Sequence, residues 1–155
     1  MSIVSSIQSN FRTLMSADIT GSASASWTEY PRRIDINHWD TVPLSVRDGA
    51  WSLVFNGNSE PTLYHTPDID VIHNVVLQLS FALSKNDLGT RYAEALHDIE
   101  VILRARLNPT SYAGYNNTIL NIEHVSTSPF NFVNDNEKVA VVELEFQVTG
   151  RTTVI

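Results

Sequence analysis

The sequence has no cysteine, so neither a disulfide framework nor a thiolate metal site is open to it, and a reducing compartment is compatible. No apolar run approaches the ~20 residues that cross a bilayer, so no membrane partner is expected. Positive charge is scarce: 10 Lys and Arg stand against 17 Asp and Glu, for a formal net charge of −7. Gripping nucleic acid takes clustered Lys and Arg on the phosphates, so that role is not expected; letting nucleic acid pass is compatible. The six glycines are scattered, with no GxGxxG and no P-loop lysine, and no GxSxG surrounds any serine. The stretch MSIVSSIQSNFRTLMS lacks a basic start followed by a continuous apolar core, so a soluble chain made in the cytoplasm is expected rather than a secreted one.

What is present is ordinary globular material. The 155 residues are 43% hydrophobic and 17% charged, which suits a single domain over 1–155 with a real core. Ile3, Ile7, Phe11 and Leu14 recur at helical spacing, with Val4 and Met15 beside them and Ser2 as N-cap. Leu88, Tyr92, Leu96, Ile99 and Leu103, widened by Ala95 and Ile102, mark a second helical stripe. Its charges, Arg91, Arg104 and Arg106 with Glu94, Asp98 and Glu100, have the mixed signs of a solvated face.

Two-residue alternation marks the strands. From Arg47 to Asn56, Trp51, Leu53 and Phe55 share a face, and Asn56–Gly57 then signals a turn. From Asp70 to Ser84, Val71, His73, Val75, Leu77, Leu79, Phe81 and Leu83 share a face, opposite Asn74, Gln78, Ser80 and Ser84. Thr118 to Val125 sets Leu120, Ile122 and His124 on one side. In VAVVELEFQVTG, Ala140, Val142, Leu144, Phe146 and Val148 oppose Glu143, Glu145 and Gln147. Extended loops are expected near 20–46, 58–69 and 108–117. The simplest packing is an α+β fold: a mostly antiparallel or mixed sheet covered on one face by two amphipathic helices.

No catalytic constellation assembles, so no enzyme, cofactor or metal is expected. None of the histidines His38, His65, His73, His97 and His124 pairs at i, i+4. His73, on an apolar strand face, fits a core or interface histidine better than a ligand. Asp68 and Asp70 lack the glycine-rich loop and distal acidic partner of a hard-cation site. The pair Arg32–Arg33, beside Tyr30, is a candidate contact for phosphate or an acidic neighbour, set against plain surface.

Five segments carry a resemblance. They are the helix SIVSSIQSNFRTLM, the strand DGAWSLVFNG, the long strand VIHNVVLQLSFAL, the helix RYAEALHDIEVILRARL, and the strand pair TILNIEHVS and KVAVVELEFQVTGR. In order and texture, over nearly the whole chain, they resemble the tail terminator (tail completion, or minor tail) family of long-tailed bacteriophages. The resemblance implies a structural virion protein of the tail, made in the host cytoplasm and assembled as a homo-oligomeric ring, a hexamer. The ring caps the tail tube protein, offers a surface to the head-completion or neck protein, and lets DNA pass through without specific binding. On that footing Glu143, Glu145 and Gln147 are expected to face a ring lumen or a subunit junction, against the simpler alternative of solvent. Pro61, Leu63, Tyr64 and Pro67 are expected to form a docking loop, against that of a plain surface loop. The alternatives are a head-completion protein of the same virion, a small α+β enzyme or ligand-binding domain built on His38, His73, Asp68 and Asp70, and an interaction module that stays a monomer or dimer.

Overall fold

A computed structural model describes residues 3–16, 27–35, 48–64, 67–86, 89–105, 119–132 and 138–153. The elements run α1 (Ile3–Ser16), β1 (Thr28–Glu29), β2 (Ala50–Asn58), β3 (Thr62–Leu63), β4 (Asp68–Ala82), α2 (Thr90–Ala105), β5 (Ile119–Thr127), β6 (Asn131–Phe132) and β7 (Val139–Thr153). The fold is α+β. Its mixed seven-stranded sheet has the order β1-β2-β4-β7-β5, with β3 on β4 and β6 on β7. Among the described strand pairs only β1–β2 is parallel. Loop 108–117 and residues Ser2, His38, His65 and Arg106 lie outside the described residues.

The axis of the sheet is the ladder between β4 and β7, unbroken from Asp68↔Thr153 to Ala82↔Val139. Strict alternation puts Val75, Leu77, Leu79 and Phe81 of β4 beside Ala140, Val142, Leu144, Phe146 and Val148 of β7 on one face. The stripes of both helices complete this core: Ile3, Ile7, Phe11, Leu14 and Met15 from α1, and Ala95, Ile99 and Ile102 from α2. Gly150 is what lets α1 close on β7, because a Cβ there would overlap the Ile3 side chain.

Three expectations need correction. Asn56–Gly57 is not a turn. The strand continues through it as a bulge, Phe55 pairing with Val75 and Asn58 with His73, with Gly57 at φ 100°. Leu120 does not share the buried face of Ile122. β5 carries one extra residue between Ile119 and Asn121 and another between His124 and Ser126, so Leu120 and Val125 are pushed outward while Ile119 and Ile122 are buried. Finally, the buried stripe of α2 runs through Ala95, Asp98, Ile99 and Ile102, and Leu96 is exposed. Asp98 is therefore no part of a solvated face. Nor is Arg91, which donates to the Ala82 carbonyl and to Asp48 and ties the start of α2 to the end of β4. Arg104 and Glu100 do form the exposed i, i+4 pair expected of such a face.

Asn10 is a local exception to the packing rules. It is buried in α1, and among the described residues neither its side-chain oxygen nor its nitrogen has a hydrogen-bond partner.

Candidate functional site

The sheet face away from the helices holds the candidate residues, and its two halves differ. Registers across β2, β4 and β7 align Ser52, Gln78 and Glu143 in one row. Over this row lies the segment 30–35, which follows β1. The Ser52 hydroxyl donates to the Arg32 carbonyl at 2.6 Å. Gln78 accepts from the Ile34 N–H at 2.8 Å and donates back to the Ile34 carbonyl at 3.1 Å. The same amide donates to Glu143 Oε2 at 3.2 Å. A single glutamine thus satisfies both backbone groups of a buried residue. Ile34, Ala50, Val139 and Val141, with Tyr30, form a second small core beneath the strap.

This strap is why Gln78 and Ser80, expected opposite the core face, are buried as well. It also decides the surroundings of Glu143, which is half-buried and lines an open cleft of about 420 Å³ with Arg33, Ile34, Asp35, Gln78, Asn131 and Val141. Arg32 and Arg33 are exposed on the strap. They flank a groove that runs along Ser52–Phe55 of β2, where Arg12 is already paired to Glu29 at 3.0 Å. Among the described residues no carboxylate forms an ion pair with Arg32 or Arg33.

Beyond the strap the face is open and acidic. The next row joins Val54, Val76, Glu145 and Ser126, with the Ser126 hydroxyl donating to Glu145 at 3.2 Å. The row after it joins Asn74, Gln147 and Glu123. Gln147 and Glu123 are exposed and Glu145 is half-buried. The three residues expected to share one environment are therefore divided: Glu143 sits at the edge of the strap, and Glu145 and Gln147 stand on the uncovered part.

The candidate docking loop lies at the far end of the sheet. Part of it is strand: Thr62 and Leu63 pair with Asp70 and Ile69. Leu63 is 73% exposed, and Pro61, Tyr64 and Pro67 are exposed too. The tip is held by side chains that periodicity does not single out. Arg151 grips Asp70 with two hydrogen bonds, 2.7 and 3.0 Å, and its guanidinium lies 5.6 Å from the centre of the Tyr64 ring. The Tyr64 hydroxyl donates to Asp70 at 2.9 Å. The signal for this clasp would have been an acid at the start of one long strand and an arginine at the end of its antiparallel partner.

Arg151 holds the Asp70 carboxyl below the usual carboxylate range; partial burial opposes this and the Tyr64 hydroxyl adds to it. With the folded pKa depressed, the stabilisation is fully present above the unfolded carboxylate value of about 3.9 and is lost as pH falls through the folded value. Replacing Arg151 with glutamine should move the Asp70 titration, followed by NMR, up toward that ordinary value and flatten the acid limb of the stability curve. An unmoved titration would mean that the clasp does not govern Asp70.

The remaining polar candidates do not converge. His73 is half-buried, edge-on to Phe55 with ring centroids 6.2 Å apart, and burial pushes its pKa down. It lies on the helix-covered face, whereas Asp70 lies on the other. His124 meets Phe146 at 5.7 Å and Thr127 Oγ1 at 2.9 Å. Among the described residues no group of three or more His, Asp or Glu stands close enough to hold a metal ion, and no helix is long and apolar enough to cross a membrane. Compared with models of known protein families the chain matches none, and it matches no curated protein.

Proposed function

We propose that the chain is a structural subunit that builds a ring, acting as the tail terminator of a long-tailed bacteriophage: the ring caps the tail tube, joins it to the head and lets DNA through. The observation that carries this reading is a sheet in which, among the described residues, most of β2 beyond Trp51 and the outer side of β5 have no strand partner, with an exposed face that carries Glu123, Glu145 and Gln147. Open edges are the raw material of a heterologous interface, in which one patch meets a different patch of the next copy. An acidic lining repels phosphate and keeps a passing duplex from sticking. The exposed tip at Pro61, Leu63 and Tyr64, held by the strand pairing of Leu63 and by the Tyr64–Asp70–Arg151 contacts, suits a docking contact with the tube or the neck.

The cleft beside Glu143 favours a second reading, a small ligand-binding domain, in which the subunit would work alone. Light scattering separates the two, because a subunit of 17.3 kDa is easily told from its ring. A ring is expected either from the protein alone or on addition of tail-tube protein. A monomer indifferent to tube protein would overturn the terminator reading and leave the cleft as the feature to pursue. A ring that sediments with filled heads rather than tubes would transfer the role to head completion.

A further inference from the structure

The two open edges differ in shape and charge, and together they specify a contact. On one side of the sheet, β1 covers β2 only at Ala50 and Trp51. The Trp51 carbonyl accepts from the Tyr30 N–H, so the backbone groups of alternate residues, Leu53 and Phe55 next, point outward along the same edge. Among the described residues no strand pairs with that part of the edge. Arg32 and Arg33 stand beside it, an island of positive charge on a chain of net charge −7. On the other side of the sheet, β5 pairs, among the described residues, with β7 alone. Its two bulges bracket the regular stretch Asn121–His124, and Glu123 there lies on the same face of the sheet as the strap that carries the arginines.

We infer that Asn121–His124 of one copy adds as a strand to the Leu53–Phe55 edge of the next, with Glu123 set against Arg32 and Arg33. This rests on the ring reading and names its junction. Strand direction supports it. β2 and β7 run one way and β4 and β5 the other, as their antiparallel pairings require. Rotation about an axis along the strands leaves direction unchanged, so β5 beside the next copy's β2 is antiparallel, and the pattern continues through the junction. Register supports it too. Val54 and Ser126 share a row, so without stagger they meet at the junction; a stagger of two residues, of the kind closed barrels need, brings Glu123 beside Val54 and nearer the arginines. The bulges at Leu120 and Val125 bend and twist the edge. They limit indiscriminate pairing along its length and leave the short bracketed stretch for a partner of matching charge.

The absence of native cysteine makes the test direct. Two double variants are made in the full chain, Val54→Cys with Ser126→Cys for the unstaggered junction and Asn56→Cys with Asn121→Cys for the staggered one. Each is oxidised alone and with tail-tube protein, and each is compared with its single variants. A ladder of covalent multimers from at least one pair is expected, with no species above a dimer from any single variant. In parallel, Arg33→Glu and Glu123→Arg should each weaken association about tenfold, and combining them should restore it. Association that persists by light scattering without a ladder from either pair, and without rescue by the double reversal, would overturn this junction while sparing the ring. Absence of any association, with or without tube protein, would overturn both.

Discussion

Replacing Phe146 with alanine should cost about 3–5 kcal/mol, enough to remove a large share of the 5–15 kcal/mol that holds a domain of this size together. Phe146 is fully buried at the middle of β7, flanked by Phe11 of α1 at 5.6 Å and His124 of β5 at 5.7 Å. α1 and β5 thus both close on the ring that β7 supplies. The loss combines the transfer energy of the ring with an unfilled cavity, because α1 cannot sink toward the sheet: Gly150 already brings its first turn into contact. Urea denaturation with an unchanged m-value would measure it. A cost below about 1 kcal/mol would mean that this side of the core relaxes far more than its packing implies. A change in m would shift the explanation to the unfolded state.

Changing Gln78 to leucine is the second large effect, and it arises from polar chemistry. Gln78 is 3% exposed and meets both the N–H and the carbonyl of Ile34. An apolar side chain of similar size keeps the volume and leaves two buried backbone groups without partners, each costing about 1–3 kcal/mol. Loss of about 2–6 kcal/mol is therefore expected if the strap stays down. If it lifts instead, the Ile34 amide exchanges quickly with solvent while the β4–β7 ladder remains protected. Gln78→Glu sharpens the result. A carboxylate still accepts from the Ile34 N–H, but it cannot donate to the Ile34 carbonyl, and it places a second negative charge beside Glu143. It should be at least as damaging as leucine at neutral pH and partly relieved in acid. Equal stability of all three proteins would show that the strap is not held by this side chain.

The contrast between these residues explains what was legible in the sequence. β4 and β7 could be read because each has an unbroken apolar alternation, and alternation is a property of one strand by itself. α1 could be read for the same reason at helical period, through Ile3, Ile7, Phe11 and Leu14. The second face of the sheet could not. Gln78 and Ser80 have the composition of solvent-facing positions, and what buries them is a strap whose sequence, YPRRID, has no period of its own. Registers between strands were hidden too. A bulge adds one residue without changing composition, so Leu120 reads as the natural partner of Ile122 until pairing with β7 displaces it. The exposure of Tyr64 is legible from its place in a proline-bounded segment, whereas its anchor on Asp70 and Arg151 depends on a contact between distant parts of the chain.

The long β4–β7 ladder bears on how the chain reaches its fold during synthesis. Its central hydrogen bonds join residues from the middle of the sequence to its last described strand, from Ala82↔Val139 out to Asp68↔Thr153. α1, the first described element in chain order, rests on that same late strand at Gly150. The ribosome therefore delivers both helices and the other described strands before the strand that unites them exists. Such long-range pairing is slow, since chain closure must precede any gain from contact. Until β7 emerges, β4 carries an apolar face and an unpaired edge in the open, and this interval, rather than the finished molecule, is where chaperone capture and misassociation should concentrate.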